Sequence, residues 1–179
     1  AFHDYTRYEA LKLGKELERL NFEWIEEPMD EYNLEDYKWL ASHLNIPVIG
    51  PETAKGKAQT RLQWILSGAC DICRAGVMDV RGITQVMKTV HLCEIFGMPL
   101  ELHSPGAPTL HVMAAMMIPG KYYERGLLHP FLDYDVTPPW FNTPVDFMDQ
   151  DGYMHVSDRT GLGYDINWDY IYENQVKQI

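Results

Sequence analysis

A chain of 179 residues with 46% hydrophobic and 23% charged residues has the makeup of an ordinary globular protein and enough length for a sizeable core. Its formal net charge of −11 makes nucleic acid and anionic membrane surfaces poor partners. No run approaches the ~18 apolar residues of a membrane span, and nothing at the start reads as a signal peptide. The three cysteines, few and odd in number, suggest a reducing, cytoplasmic setting.

The chain opens on Ala1 rather than Met and passes directly into an amphipathic helix at Arg7 to Leu20, which reads as a cut through a larger domain. Phe22 to Glu26 then forms a short strand pattern, followed by a helix face at Leu34, Tyr37, Leu40, Ala41 and Leu44. Ile46 to Gly50 is the next strand, and Ala58, Leu62, Ile65 and Leu66 give the next helix face. Ala69 to Cys73 is a third strand, with a helix through Val86, Met87, Val90 and Cys93 after it. Met98 to Leu102 is the fourth, and Leu110, His111, Val112, Met113 and Met116 read as packing in a further helical run. Strand starts at 22, 46, 70 and 98 are 24, 24 and 28 residues apart, the length of one βα unit. Gly68 and Gly97 sit where left-handed helix caps are expected. Four such units suit half of a (β/α)₈ barrel, with an open doubly wound sheet as the alternative on period alone. Half a barrel leaves open sheet edges, so more chain is expected to complete it. Cys70 and Cys73 form a C-x-x-C, but on a strand they would point to opposite faces, so a buried core role is expected.

From residue 129 the pattern changes. His129 to Trp140 is rich in proline, aromatics and aspartate and reads as a long excursion, and Asp151-Gly152 is a turn signal. Trp140 and Phe141 suggest a hydrophobic contact. His43, His91, His129 and His155 have no chemical context.

Active sites of such barrels gather at the C-terminal ends of the strands. Those ends carry Glu26, Glu52, the stretch Arg74 to Gly76, and His103. Two carboxylates at consecutive strand ends would face one mouth, and oxygen ligands with open positions suit Mg²⁺. Chance placement of surface glutamates in an acidic protein is the competing reading.

The motifs add weight. Trp24-Ile25-Glu26-Glu27-Pro28, then Ile46 through Glu52, Gly68-Ala69-Cys70, Gly82-Ile83-Thr84, Phe96 through Pro99, His103 and Gly161-Leu162-Gly163-Tyr164-Asp165 together resemble the mandelate racemase branch of the enolase superfamily. The resemblance implies an α/β fold, the second half of a TIM-like (β/α)₇β barrel. Its N-terminal capping domain and first strands would lie outside this chain. Residues 1–128 would be the barrel half, and 129–179 a segment packing back on the barrel and the capping domain.

By the same resemblance Glu26 and Glu52 are metal ligands for Mg²⁺. The third, an Asp, falls immediately before Ala1, and a catalytic Lys would lie further upstream. His103 matches the branch's general acid/base. The family's Asp partner for that histidine aligns with Gly76, and neither Arg74 nor Asp79 stands at the matching position. Either another group orients the imidazole, or His103, without that carboxylate, donates a proton to a leaving hydroxyl rather than abstracting one from carbon. Abstraction would then fall to His3 or to an upstream residue. Glu124 lies one residue from the family's carboxyl group that hydrogen-bonds the substrate carboxylate. The activity implied is dehydration of a sugar acid, with a homo-oligomer expected. A racemase or epimerase of a 2-hydroxy acid, or a non-catalytic metal-binding relative, are the alternatives.

Overall fold

The computed structural model describes residues 3–125 and 136–176. Six helices and four strands appear among them in the order α1 (Arg7–Arg19), β1 (Ile25–Glu26), α2 (Leu34–His43), β2 (Val48–Gly50), α3 (Ala58–Ser67), β3 (Ile72–Gly76), α4 (Ile83–Phe96), β4 (Leu100–His103), α5 (Ala107–Ala115) and α6 (Trp168–Glu173). No helix among the described residues is long and apolar enough to cross a membrane.

Local chemistry sets the boundaries. Thr6 and Glu9 form a reciprocal capping box at the start of α1, and the Asn33 side chain accepts the Asp36 N–H at the start of α2. Helices α3 and α4 end on Gly68 and Gly97, both left-handed at φ 70° and 62°, as their positions in the sequence predict. The strands are shorter than the sequence pattern predicts. Phe22 to Trp24 precede β1, and Cys70 precedes β3 instead of lying on it. The predicted face of α3 is also rotated: Leu66 is exposed, while Arg61, Trp64 and Ile65 are buried. Trp64 is placed by its ring contact with Tyr37, at 4.5 Å between centroids.

The four strands pair in parallel in chain order, with Ile25 opposite Val48, Ile49 opposite Ile72, and Gly76 opposite His103. Alternation along them separates two faces. Cys73, Ala75, Leu100 and Leu102 pack with Val86, Val90 and Cys93 of α4 and Val112 of α5. Ile25 and Val48 pack with Tyr37, Leu40, Trp64 and Ala10. The opposite face carries Glu26, Arg74, Glu101 and His103. A doubly wound sheet buries two apolar faces. A polar, inward-facing set opposite the helices is that of a barrel.

Residues 136–176 hold little regular structure. Isolated antiparallel bridges join Phe141 to Ile166 and Met148 to Met154, the latter around the Asp151-Gly152 turn. Phe141 stacks on Tyr164 at 5.0 Å, and Asp146 accepts the Tyr123 hydroxyl at 3.0 Å, which ties this segment to the loop after α5. The part of the aromatic excursion at 129–135, including His129 and the expected domain junction, lies outside the described residues.

All three cysteines are unpaired and buried. Cys70 and Cys73 fall in separate apolar clusters, which gives the core role expected of them. Burial pushes the Cys70 thiol up to about 12, and the neighbouring Cys93 helps raise that of Cys73. Since the thiolate is the reactive form, native full-length protein at pH 8 should leave all three unlabelled by iodoacetamide while unfolded protein is fully alkylated. Mass spectrometry reads the result, and rapid native labelling of Cys70 or Cys73 would contradict the packing.

Candidate active site

The strand ends β1 to β4 open onto a cleft of about 560 Å³ lined by His3, Glu26, Glu52, Arg74, His103 and Glu124 among others. All five residues singled out in the sequence therefore face one space. A residue not assigned any role from sequence sits at its centre. Arg74 is held almost entirely inside, its side chain 7% exposed. Its Nε lies 3.1 Å from Glu26 Oε1 and 3.3 Å from Glu52 Oε2, and its Nη2 donates to Glu124 Oε2 at 2.6 Å. Nη1 donates to the Leu102 carbonyl at 3.2 Å. Burial alone would lower the Arg74 pKa, but Glu26, Glu124 and Glu52 outweigh it and raise it. Glu26 is raised as well, first by burial and then by its closeness to Glu52.

Glu52 is fixed from behind. The Glu27 carboxylate, itself buried and raised by that burial, accepts the Glu52 N–H at 2.6 Å and the Thr53 hydroxyl at 3.3 Å. Arg61, fully buried on α3, donates to the carbonyls of Pro51 at 3.1 Å, Glu52 at 2.7 Å and Ala54 at 3.0 Å. Its Nε reaches the Arg74 carbonyl at 3.4 Å, so one guanidinium ties the loop after β2 to β3. A charged residue at spacing i, i+3, i+4 with Trp64 and Ile65 was the available signal for Arg61, because it stands on a helix's apolar stripe.

His103 has the carboxylate partner that the sequence comparison denied it. Its Nδ1 lies 2.7 Å from Asp79 Oδ2, although Asp79 comes three residues after the position where the family's Asp aligns. The expectation of an unsupported imidazole is therefore corrected. The physical reason is Gly76: a Cβ built there would meet Asp79 Oδ2 at 2.2 Å, so only the missing side chain leaves Asp79 its path. His103 Nε2 faces Glu52 Oε1 at 3.3 Å. Burial alone would lower the His103 pKa, but the Asp79 hydrogen bond and the charges of Glu52 and Glu124 outweigh it and raise it above 6.5.

Glu124 is anchored by Arg74 and by the Ser104 N–H at 3.3 Å. His3 borders the cleft on the Glu27 side. Its Nδ1 lies 2.9 Å from the Met29 carbonyl and 3.3 Å from Glu31, and its Nε2 3.0 Å from the Thr53 hydroxyl, so both ring nitrogens are engaged. His43, His91 and His155 pair locally with Trp39, Glu94 and Asp149 and stand apart from the cleft. Among the described residues, no three His, Cys, Asp or Glu side chains converge on one ion position, so this stretch offers a pair of carboxylates.

Residues 1–170 match the enolase C-terminal domain-like family. The chain belongs to that family. Among solved structures it is similar to D-glucarate dehydratase from Agrobacterium tumefaciens complexed with magnesium, with 55% identity and a TM-score of 0.95 over 99% of this chain and 46% of that one. Among characterised relatives, arabinonate dehydratase of Saccharolobus solfataricus is 34% identical over 90% of this chain and 42% of its own length. L-talarate/galactarate dehydratase of Salmonella typhimurium is 30% identical over 93% and 39%. The chain thus spans less than half the length of these enolase-superfamily barrel proteins, and the four-stranded sheet is a stretch of the C-terminal domain in that fold.

The Asp79–His103 pair makes a measurable claim on the full-length protein. By NMR without added metal, His103 should titrate above 6.5, and Asp79→Asn should move its midpoint down. Gly76→Ala should do the same, because its methyl displaces the Asp79 carboxylate. A Gly76→Ala midpoint equal to wild type would show that Asp79 reaches His103 by another path.

Proposed function

We propose that the full-length protein is a Mg²⁺-dependent dehydratase of a sugar acid. The observation that carries this reading is the convergence of Glu26, Glu52, Glu124 and the His103–Asp79 pair on one cleft, in a chain 55% identical to a magnesium-bound D-glucarate dehydratase. The donor set fits such an ion. Glu26 and Glu52 supply hard carboxylate oxygens, and Mg²⁺ is ordinarily held by one or two carboxylates with several waters retained. When bound it would stabilise the negative charge that develops on the substrate carboxylate as the neighbouring C–H bond breaks.

The chain's own groups do the rest. His103, held with its Nδ1 toward Asp79, presents Nε2 to the cleft and takes the proton from the carbon α to the substrate carboxylate. Asp79 favours the imidazolium that forms, as an oriented carboxylate does for any histidine base. The resulting enediolate expels the β-hydroxyl, which takes the proton held on His103 and leaves as water, and the enol product tautomerises to a 2-keto-3-deoxy acid. Glu124, fixed by Arg74 and the Ser104 amide, is left to accept from a substrate hydroxyl at the same mouth. The Asp79 contact thus moves His103 from the proton-donor role expected of an unsupported imidazole to that of base. His3, with both nitrogens engaged, positions the loop at Thr53 and Met29 rather than moving protons.

Two measurements test this. Glu26→Gln or Glu52→Gln in the full-length protein should abolish Mg²⁺-dependent dehydration while circular dichroism stays that of the folded protein; near-normal turnover by either variant removes the metal assignment. His103→Asn should lower both dehydration and solvent exchange of the α-proton in D₂O by at least about a hundredfold, the low end of a general base's contribution. Exchange that survives while dehydration is lost would confine His103 to proton donation.

A further inference from the structure

The two proposed metal ligands and the substrate-facing glutamate share a fourth group that none of those roles requires. Arg74 reaches Glu26, Glu52 and Glu124 at 3.1, 3.3 and 2.6 Å, all from one buried guanidinium. Its side chain is 7% exposed, and Nε, Nη1 and Nη2 each already face a protein oxygen. A guanidinium stays charged under all ordinary conditions. Three carboxylates against one permanent cation leave net negative charge for an incoming divalent ion. Without Arg74 the same ion would face one more unit of negative charge.

We propose that Arg74 is a positioning residue that acts as the resident cation of the carboxylate cluster, holding Glu26, Glu52 and Glu124 together and weakening the binding of Mg²⁺ to them. This rests on Glu26 and Glu52 being the metal ligands. Arg74 and an incoming ion draw on the same carboxylate charge, so each lowers the other's attraction to it. Arg61 cannot substitute, because its donors end on backbone carbonyls behind the loop. His103 is already engaged at both ring nitrogens, with Asp79 and with Glu52.

The experiment is calorimetric titration of full-length protein with Mg²⁺ alone, with thermal unfolding in its presence and absence, for wild type, Arg74→Gln and Arg74→Lys. Arg74→Gln should bind Mg²⁺ at least about tenfold more tightly than wild type and show a larger Mg²⁺-induced rise in melting temperature, since ligand linkage follows affinity. Arg74→Lys, which keeps the charge, should stay within about threefold of wild type. An Arg74→Gln protein that folds only with Mg²⁺ present also supports the proposal, because the ion then supplies the charge that Arg74 did. Equal or weaker Mg²⁺ binding by Arg74→Gln overturns it, as does an Arg74→Lys protein that binds as tightly as the Gln variant. A Gln variant that folds under neither condition makes Arg74 a structural strut and overturns it too. Wild type that fails to bind Mg²⁺ would instead remove the metal assignment itself.

Discussion

Gathering negative charge where a barrel closes is the constraint on which this half of the domain depends. Glu26, Glu27, Glu52, Glu101 and Glu124 all line one cleft, and Glu27 and Glu101 are buried outright. A carboxylate withdrawn from water is strongly destabilising unless it is paired or accepts hydrogen bonds. Each one here is answered. Glu27 takes the Glu52 amide and the Thr53 hydroxyl, and Glu101 takes the amides of Lys121 and Tyr122. Glu26, Glu52 and Glu124 share Arg74. The answers are unequal in kind. Backbone amides have fixed positions and serve the structural carboxylates, whereas the three that face the mouth share one side-chain cation, with the Ser104 amide added at Glu124.

That division decides which parts of the molecule hold still. Arg61 and Glu27 fix the loop after β2 from two sides, through its carbonyls and through its amide at Glu52. The loop that carries Glu52 is therefore rigid before any ligand arrives, which lowers the reorganisation a catalytic site must undergo at reaction. Across the mouth, Trp24 lies 5.7 Å from Tyr122 between ring centroids, and Lys121 pairs with Glu23. These contacts bring the segment after α5 toward the β1 side and curve the open sheet toward closure.

The fold was largely legible because its signals are local and repeat. Alternating apolar strands and amphipathic helices at a steady period, with glycine caps at 68 and 97, are consequences of short-range geometry. Strand lengths and the face of α3 were not, and for a common reason. β1 and β2 are only two and three residues long, too short for period-2 alternation to mark their ends. On α3, Leu66 and Arg61 exchange the places that hydrophobicity alone assigns them. Arg61 is buried because four carbonyls receive it, which is a tertiary fact. In the site, Glu26, Glu52 and His103 were legible as residues at strand ends, and His3 and Glu124 only through the family resemblance. Arg74 and Asp79 were visible as letters, but their roles depend on distances across strands that no spacing encodes.

Asp79 shows where reading by aligned position reaches its end. An aligned column asks whether a carboxylate occupies one place on a strand, and at Gly76 the answer is no. The imidazole asks only whether an oxygen lies within hydrogen-bond reach of Nδ1, and at 2.7 Å the answer is yes. The two answers are linked, since the Cβ that an Asp at position 76 would carry lies 2.2 Å from the oxygen of Asp79. A carboxylate can approach from the strand or from the loop three residues later, but both cannot occupy that space. The imidazole thus gains its hydrogen bond from the loop, with no carboxylate needed on the strand.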